Sequence, residues 1–252
     1  MATYDDAFFD YVNSGAVRSA RAMLPLLTDE LAIASVLDVG CGQGAWLSVW
    51  NELGVADITG IDGDYVDRGR LVIPSEKFVA GDLSSPFSLG RRFDVVQSLE
   101  VAEHLPTAQS RAFVSSLVAH SDIVLFSAAP RGQGGDHHIN EQDYDFWRRL
   151  FHECGYLALD YLRPLVKSEL QIEPWYRYNT LLYVARHRLE SLPAALANTR
   201  LDDARPVPDV SPRLYQFRKR LISILPVPIM TALAKVKERV VSSMRRNATG
   251  TN

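Results

Sequence analysis

The feature that most constrains the fold is a short apolar run that ends in three glycines. Residues 36–44 read Val-Leu-Asp-Val-Gly-Cys-Gly-Gln-Gly, and a helical pattern follows from Ala45. An apolar run of this length favours a buried strand, and glycine allows a sharp turn and close approach of a ligand to the backbone. A strand, a glycine-rich turn and a helix in this order indicate a nucleotide-like binding site at the edge of a sheet.

The alternation of strand and helix patterns extends over most of the first 190 residues. Continuous apolar strands joined by helical crossovers predict an α/β fold, with a mostly parallel sheet covered by helices on both faces. The predicted strands are 35–39, 57–61, 77–80, 93–99, 122–127, 156–161 and 180–185, and predicted helices include 45–53, 108–120 and 141–154.

Carboxylates follow the strands at regular points. Asp38 lies inside the first strand, Asp62 ends the second, and Asp82 follows the third. Together with the glycine turn, these acids resemble motif I and the later acidic positions of class I S-adenosylmethionine (SAM) methyltransferases. The resemblance covers about residues 33–160. It implies a Rossmann-like sheet of seven strands, the last antiparallel, that binds SAM.

The resemblance also implies the contacts with SAM. The glycine turn would approach the methionine and ribose parts, Asp62 would accept hydrogen bonds from both ribose hydroxyls, and Asp82 would contact the adenine amine. The predicted cofactor-binding residues are Asp38, Gly40, Gly42, Gly44, Asp62, Asp82, Leu83 and Glu100.

An NAD-binding domain is the rival interpretation of the glycine turn. Such a domain favours Gly-x-Gly-x-x-Gly, whereas the spacing here is Gly-x-Gly-x-Gly. A carboxylate at Asp38 would also repel a pyrophosphate. The methyltransferase interpretation is therefore preferred.

The segment after the fourth strand narrows the type of acceptor. Residues 98–106 read Ser-Leu-Glu-Val-Ala-Glu-His-Leu-Pro. They are similar to the E-x-x-E-H-L segment of the small-molecule branch of the superfamily, which includes sugar, quinone and natural-product methyltransferases. The Asn-Pro-Pro-Tyr type of motif, found in amino-directed DNA, RNA and glutamine methyltransferases, is absent from this position, which argues against a base or amide nitrogen as acceptor.

The loop after the fifth strand carries the candidate catalytic residues, His137 and His138. Methyl transfer from a sulfonium requires an aligned acceptor, and a hydroxyl must also lose its proton, a task that suits histidine. We predict His138 as the base and His137 as the second choice; the alternative is that both only cap the next helix. No metal site is predicted from Asp136, His137, His138 and Glu141, because adjacent histidines rarely face one ion.

The C-terminal segment differs in charge from the rest of the chain. Residues 211–252 hold nine Lys or Arg and one acid, a net charge of +8, whereas residues 1–210 carry −11. Apolar stripes beside basic residues predict an amphipathic helix that can lie on an anionic membrane surface. Docking on the acidic domain or on a second subunit, as in a homodimer, is the alternative, and nucleic acid is disfavoured. The first stripe consists of Leu214, Phe217, Leu221 and Ile224.

The sequence thus predicts a SAM-dependent methyltransferase domain over residues 1–190, a linker over 191–212 and a basic amphipathic helical tail over 213–246. The predicted reaction is methyl transfer to a hydroxyl of a small molecule, such as a saccharide or a lipid-linked glycan precursor. The alternatives are a protein or nucleic-acid methyltransferase and a catalytically silent SAM-fold binding module. Only two cysteines, no signal peptide and no long apolar run favour the cytoplasm, with membrane association through the tail.

Overall fold

A seven-stranded sheet forms the centre of the structure, a computed structural model that describes residues 6–223, with side chains from residue 14 onward. The strands are β1 (Ser35–Val39), β2 (Asp57–Asp62), β3 (Phe78–Ala80), β4 (Val95–Leu99), β5 (Ile123–Ser127), β6 (Tyr156–Leu159) and β7 (Leu181–Ala185). Their order is β3-β2-β1-β4-β5-β7-β6. Strands β1 to β5 are parallel, and β7 runs antiparallel to both β5 and β6. The predicted mostly parallel sheet with an antiparallel last strand is confirmed.

Helices cover both faces of this sheet, as predicted. They are α1 (Asp6–Thr28), α2 (Ala45–Glu52), α3 (Ser110–His120), α4 (Tyr144–Glu153), α5 (Leu162–Val166), α6 (Pro174–Asn179), α7 (Ala194–Ala197) and α8 (Arg213–Ile222). Neighbouring residues of one strand, such as Val36 and Leu37, belong to two separate apolar cores. This follows from the alternation of side chains along a strand. The first core is closed by α1, α2, α5 and α6, and the second by α3 and α4.

The strand boundaries differ from the predicted ones by a few residues, and the start of β4 shows why. The N–H of Phe93 donates to the carbonyl of His120 at 2.7 Å, outside the sheet. The carboxylate of Asp94 accepts from the N–H groups of Ala34 and Ser35, both at 2.9 Å. The N–H of Asp94 still donates to the carbonyl of Ser35 at 3.1 Å, but the regular pairing with β1 begins only at Val95.

The residues predicted as a linker, 191–212, lie against the outer edge of the sheet. The N–H of Leu201 donates to the carbonyl of Ala158 at 2.9 Å, and Val207 is buried in the second core. Arg163, which is fully buried, pairs with Asp160 at 2.7 Å and donates to the carbonyl of Pro208 at 3.1 Å. These contacts fix the course of the chain from the edge of the sheet to α8.

Only the first part of the predicted tail, up to residue 223, belongs to the described residues. Ile224, the end of the first apolar stripe, and the rest of the region 224–246 lie outside them. Within residues 6–223, no helix has the length and apolar character needed to cross a bilayer.

Candidate cofactor and acceptor site

A cleft of about 720 Å³ opens at the carboxyl ends of β1, β2 and β4. In parallel α/β sheets this edge binds ligands where the strand order reverses, which here is between β1 and β4. Five of the eight predicted cofactor residues line the cleft: Gly40, Asp62, Asp82, Leu83 and Glu100. The other three, Asp38, Gly42 and Gly44, are not among its lining residues.

The turn after β1 requires glycine for two physical reasons. Gly40 has a φ of 84°, a conformation that side chains disfavour. A Cβ on Gly40 would also lie 2.3 Å from a methyl carbon of Val101. The missing side chain thus lets the segment after β4 pack directly on the turn, and both then border the cleft.

Asp62 is held rigidly at the end of β2. One carboxylate oxygen accepts from the N–H of Gly42 at 2.7 Å. The other accepts from the N–H of Gly63 at 2.7 Å and from the hydroxyl of Tyr65 at 2.6 Å. Tyr65 also lines the cleft and was not predicted, because an exposed tyrosine in a polar loop has no sequence pattern. Its hydroxyl takes up one acceptor position of the Asp62 carboxylate.

Asp38 and Asp82 lie in opposite environments. Asp38 is buried inside β1, and burial raises its pKa to about 7, although a hydrogen bond from Gln97 opposes this effect. The side chain of Asp82 accepts from both the N–H and the hydroxyl of Ser84, at 2.9 and 2.6 Å. These bonds lower the pKa of Asp82 and keep it ionised. Of these two acids, Asp82 lines the cleft and Asp38 does not.

Glu100 connects the cleft with the loop after β5. It has a φ of 57° although it is not glycine, a strain of about 1–3 kcal/mol. Its carboxylate accepts from the side-chain amides of Gln133 at 2.6 Å and Asn179 at 3.2 Å. Burial raises the pKa of Glu100, whereas these hydrogen bonds lower it. With this backbone conformation, the carboxylate of Glu100 lies against Gln133 and Asn179.

The two predicted catalytic histidines differ in their surroundings. His138 is mostly buried, and its Nδ1 lies 3.0 Å from a carboxylate oxygen of Glu141. The two oxygens of Glu141 accept from the N–H groups of Gly134 and Gly132, both at 2.7 Å. His137 has a φ of 56° and a side chain that is 60% exposed. Only His138 is oriented by a fixed carboxylate.

His104 and Glu103 complete the inner side of the site. His104 lines the cleft, and its ring meets that of His138 edge-on at 4.9 Å. Although His104 is open to the cleft, desolvation by the atoms packed around its ring, together with the neighbouring His138, lowers its pKa to about 4. Glu103 is fully buried, and burial together with Glu100 raises its pKa well above the usual range. Ligand atoms of Glu103, His104 and His138 lie within 4.8 Å of one another, so these residues could hold a metal.

This cluster differs from the four residues considered in the sequence. It takes two members from the segment after β4 and only His138 from the loop. The three-dimensional approach of these segments has no signal in local spacing, so the sequence does not indicate this cluster.

The helix α8 packs on the same loop. A Cβ on Gly132 would lie 1.9 Å from the carbonyl oxygen of Lys219, so helix and loop are in direct contact. Lys219 pairs with Asp209 at 2.6 Å, and Arg218 donates to the carbonyl of Gln133 at 3.3 Å. The opposite face of α8 is exposed and apolar. It carries Leu214, Phe217 and Leu221, which are 84%, 60% and 50% exposed.

Comparisons with known proteins agree with this architecture. Residues 18–160, more than half of the chain, match the family described as a methyltransferase domain. No curated protein matches the chain. Among solved structures, DesVI of Streptomyces venezuelae is 18% identical with a TM-score of 0.55, over 73% of this chain and 100% of that one. The sugar N-methyltransferase KedS8 from a Streptoalloteichus species is 16% identical with a TM-score of 0.56, over 74% and 97%.

CalS10, an amino pentose methyltransferase from Micromonospora echinaspora, is 17% identical with a TM-score of 0.50, over 73% of this chain and 98% of that one. At these identities the neighbours show a shared fold. The family match itself covers β1 to β6, the glycine turn and the cleft. The predicted fold and cofactor are thereby confirmed: the chain belongs to the methyltransferase-domain family, as a class I enzyme fold whose cofactor is S-adenosylmethionine.

Proposed function

We propose that the protein transfers the methyl group of SAM to a hydroxyl of a small molecule, with a saccharide as the favoured acceptor. The observation that carries this proposal is the pair formed by His138 and Glu141 beside the cofactor cleft. A hydroxyl must lose its proton as it attacks, so it needs a base, whereas a neutral amine attacks with its free lone pair. An oriented histidine therefore favours an oxygen acceptor.

In the proposed cofactor contacts, Asp62 accepts from the ribose hydroxyls, and Asp82 with Leu83 borders the adenine. Their places along the cleft wall support this assignment. Binding of ribose to Asp62 requires that the hydroxyl of Tyr65 gives up its bond to the same carboxylate.

In the proposed reaction, the acceptor oxygen attacks the methyl carbon of SAM in line with the carbon–sulfur bond. The oxygen–carbon bond forms as the carbon–sulfur bond breaks, and the sulfur leaves as a neutral thioether. Glu141 holds Nδ1 of His138, so Nε2 takes the hydroxyl proton. His137, on the same loop, is the second candidate. Among the residues with described side chains, its carboxylate partner is Asp136, at the longer distance of 3.7 Å.

The proposal is tested by a screen of matched acceptors. Purified full-length protein is given SAM and pairs of saccharides that differ only in a hydroxyl or an amino group. We expect S-adenosylhomocysteine and a product with one added methyl group on the hydroxyl members. Transfer to amino members alone would assign the protein to nitrogen methylation, the activity in the name of KedS8. SAM binding without transfer to any acceptor, including protein and nucleic acid, would favour a binding module.

We further propose that α8 rests on an anionic membrane surface. Its exposed face combines Leu214, Phe217 and Leu221 with the exposed Arg213 and Arg220. Its opposite face, with Lys219, is already used against the domain. An exposed apolar stripe flanked by arginines suits the boundary between lipid headgroups and acyl chains. A lipid-linked glycan precursor would then meet the acceptor loop at the membrane, and a second copy of the chain is the alternative occupant.

A further inference from the structure

We propose that Glu103, His104 and His138 bind a divalent transition-metal cation between the cofactor cleft and the acceptor loop. The three side chains offer one carboxylate oxygen and two imidazole nitrogens within 4.8 Å of one another. Ligand atoms around one ion with bonds of about 2.0–2.2 Å lie up to about 4.4 Å apart, so a small side-chain movement completes the site.

The carboxylate of Glu103 is the first independent sign of a ligand. Its side chain is fully buried, and neither oxygen makes a well-formed hydrogen bond with any residue from 14 to 223. The backbone N–H groups of Glu103 itself and of Ala129 favour its ionised form, but burial outweighs them. Burial of an ionised carboxylate without hydrogen-bond partners is strongly unfavourable, and a cation would supply the missing interaction.

The two histidines are oriented as metal ligands usually are. Nδ1 of His104 lies 3.3 Å from the carbonyl oxygen of His137, and Nδ1 of His138 lies 3.0 Å from Glu141. A carbonyl and a carboxylate only accept, so both Nδ1 atoms carry the proton and both Nε2 atoms keep a lone pair. Such carboxylate and carbonyl partners fix the tautomer of ligating histidines.

The backbone holds the ligands together before any ion binds. The carbonyl of Glu103 accepts from the N–H groups of Ile139 and Asn140, both at 3.0 Å. The amide of Asn140 also donates to the carbonyl of Ala102 at 3.2 Å. These bonds tie the loop of His138 to the segment of Glu103 and His104, so the site is formed by the fold and not by a flexible surface.

The donor atoms indicate which ions the site can bind, and its opening to the cofactor cleft indicates what a bound ion could do. Two imidazoles and one carboxylate with open positions suit Mn²⁺, Fe²⁺, Co²⁺ or Zn²⁺. His104 is exposed to the cofactor cleft, so an ion could also contact an acceptor oxygen there. On the proposed function, the ion would acidify and orient the hydroxyl. With the ion bound, His138 would serve as a ligand instead of the base, because one Nε2 lone pair cannot do both. The acidified hydroxyl would then pass its proton to His137, the second candidate base, which is exposed on the same loop.

The test is a Co²⁺ titration of chelator-treated, full-length protein, followed by visible absorption, with Zn²⁺ and Mn²⁺ as competitors. We expect one equivalent of Co²⁺ with absorption bands that Zn²⁺ abolishes. His104→Ala and Glu103→Gln should each weaken binding by at least about tenfold. His187→Ala is the matched control, because His187 is exposed and pairs with Asp122 away from the site. Calorimetry with SAM confirms that each variant is folded.

Failure of the metal site and failure of the proposed function give different results. Less than one equivalent of Co²⁺, or equal affinity in wild type, His104→Ala and Glu103→Gln, would overturn the metal site. Methyl transfer that continues unchanged in chelated protein would overturn the role of the ion in the reaction, while leaving the function intact. Stoichiometric binding that is lost in the variants, with no methyl transfer to any acceptor, would uphold the metal site and reject the function.

Discussion

Different kinds of contact hold the two sides of the site together. We call the region around Gly40 and Asp62 the cofactor side, and the region around Glu100 and His138 the acceptor side. On the cofactor side the backbone dominates: Gly40 turns the chain, and backbone N–H groups fix Asp62. On the acceptor side, side chains from distant segments hold one another, as in the contacts of Glu100 with Gln133 and Asn179. A backbone site is determined by a short stretch of sequence, whereas a side-chain network depends on every partner. Substitutions should therefore separate cofactor binding from turnover.

The largest effect is expected for His138→Ala on the acceptor side. Whether His138 acts as the base or as a metal ligand, its loss should lower turnover by roughly 10²–10⁴-fold. The affinity for SAM should stay within about twofold, because the cofactor side keeps its backbone bonds. Steady-state rates and calorimetry measure the two quantities. Turnover close to wild type would pass the role to His137 or show that no base is needed.

On the cofactor side, Asp62→Ala should weaken SAM binding by at least about tenfold, because charge-assisted hydrogen bonds contribute about 1.5–3 kcal/mol each. Asp62 also holds Gly42 and Gly63, so Asp62→Asn is the matched variant that keeps the shape of the side chain. It should show a smaller loss. Calorimetry that finds wild-type affinity in folded Asp62→Ala would reject the assignment of the ribose site.

Gly135→Ala should lower turnover without changing SAM affinity, although it removes no functional group. A Cβ at this position would lie 2.2 Å from Nε2 of His138, so the ring must shift. We expect turnover to fall about tenfold while SAM affinity is retained, because a small misplacement of a catalytic group costs much of its effect. Gly69→Ala, where the nearest atom is 3.3 Å away, is the control. Equal turnover of the two variants would mean that the position of His138 does not matter.

A membrane experiment extends the comparison to α8. Full-length protein should sediment with anionic phosphatidylglycerol vesicles at low salt and be released at high salt, since the Debye length shrinks from about 10 Å at 0.1 M to about 3 Å at 1 M. Phe217→Asp should weaken this binding by roughly tenfold. Leu170→Asp is the matched control, because Leu170 is 89% exposed elsewhere. Failure of wild type to bind, with a dimer that Phe217→Asp dissociates, would assign the face to a second copy.

The smallest effect is expected for Tyr65→Phe. Removing the hydroxyl frees one oxygen of Asp62 from a bond that competes with ribose. We expect SAM affinity to rise by about threefold, within the net contribution of a single hydrogen bond. Weaker binding would show instead that the Tyr65 hydroxyl contacts the cofactor itself.

The same contrast explains what the sequence could predict. The strands are apolar runs, so all seven were identified to within a few residues, and the glycines and Asp62 stand in one local pattern. The cluster of Glu103, His104 and His138 arises because β4 and β5 are neighbours in the sheet, which no local spacing encodes. Tyr65 was missed for a related reason, because its role comes from one contact across a turn.

The contact between Gly132 and the backbone of Lys219 has a consequence for substrate choice. The backbones of helix and loop are in direct contact, without an intervening side chain. If α8 lies on lipid, the methyl donor is held at a constant height above the bilayer. The enzyme would then select, among molecules anchored in the membrane, those whose reactive oxygen lies at that distance from the bilayer. The search for substrate would become two-dimensional, along the plane of the membrane.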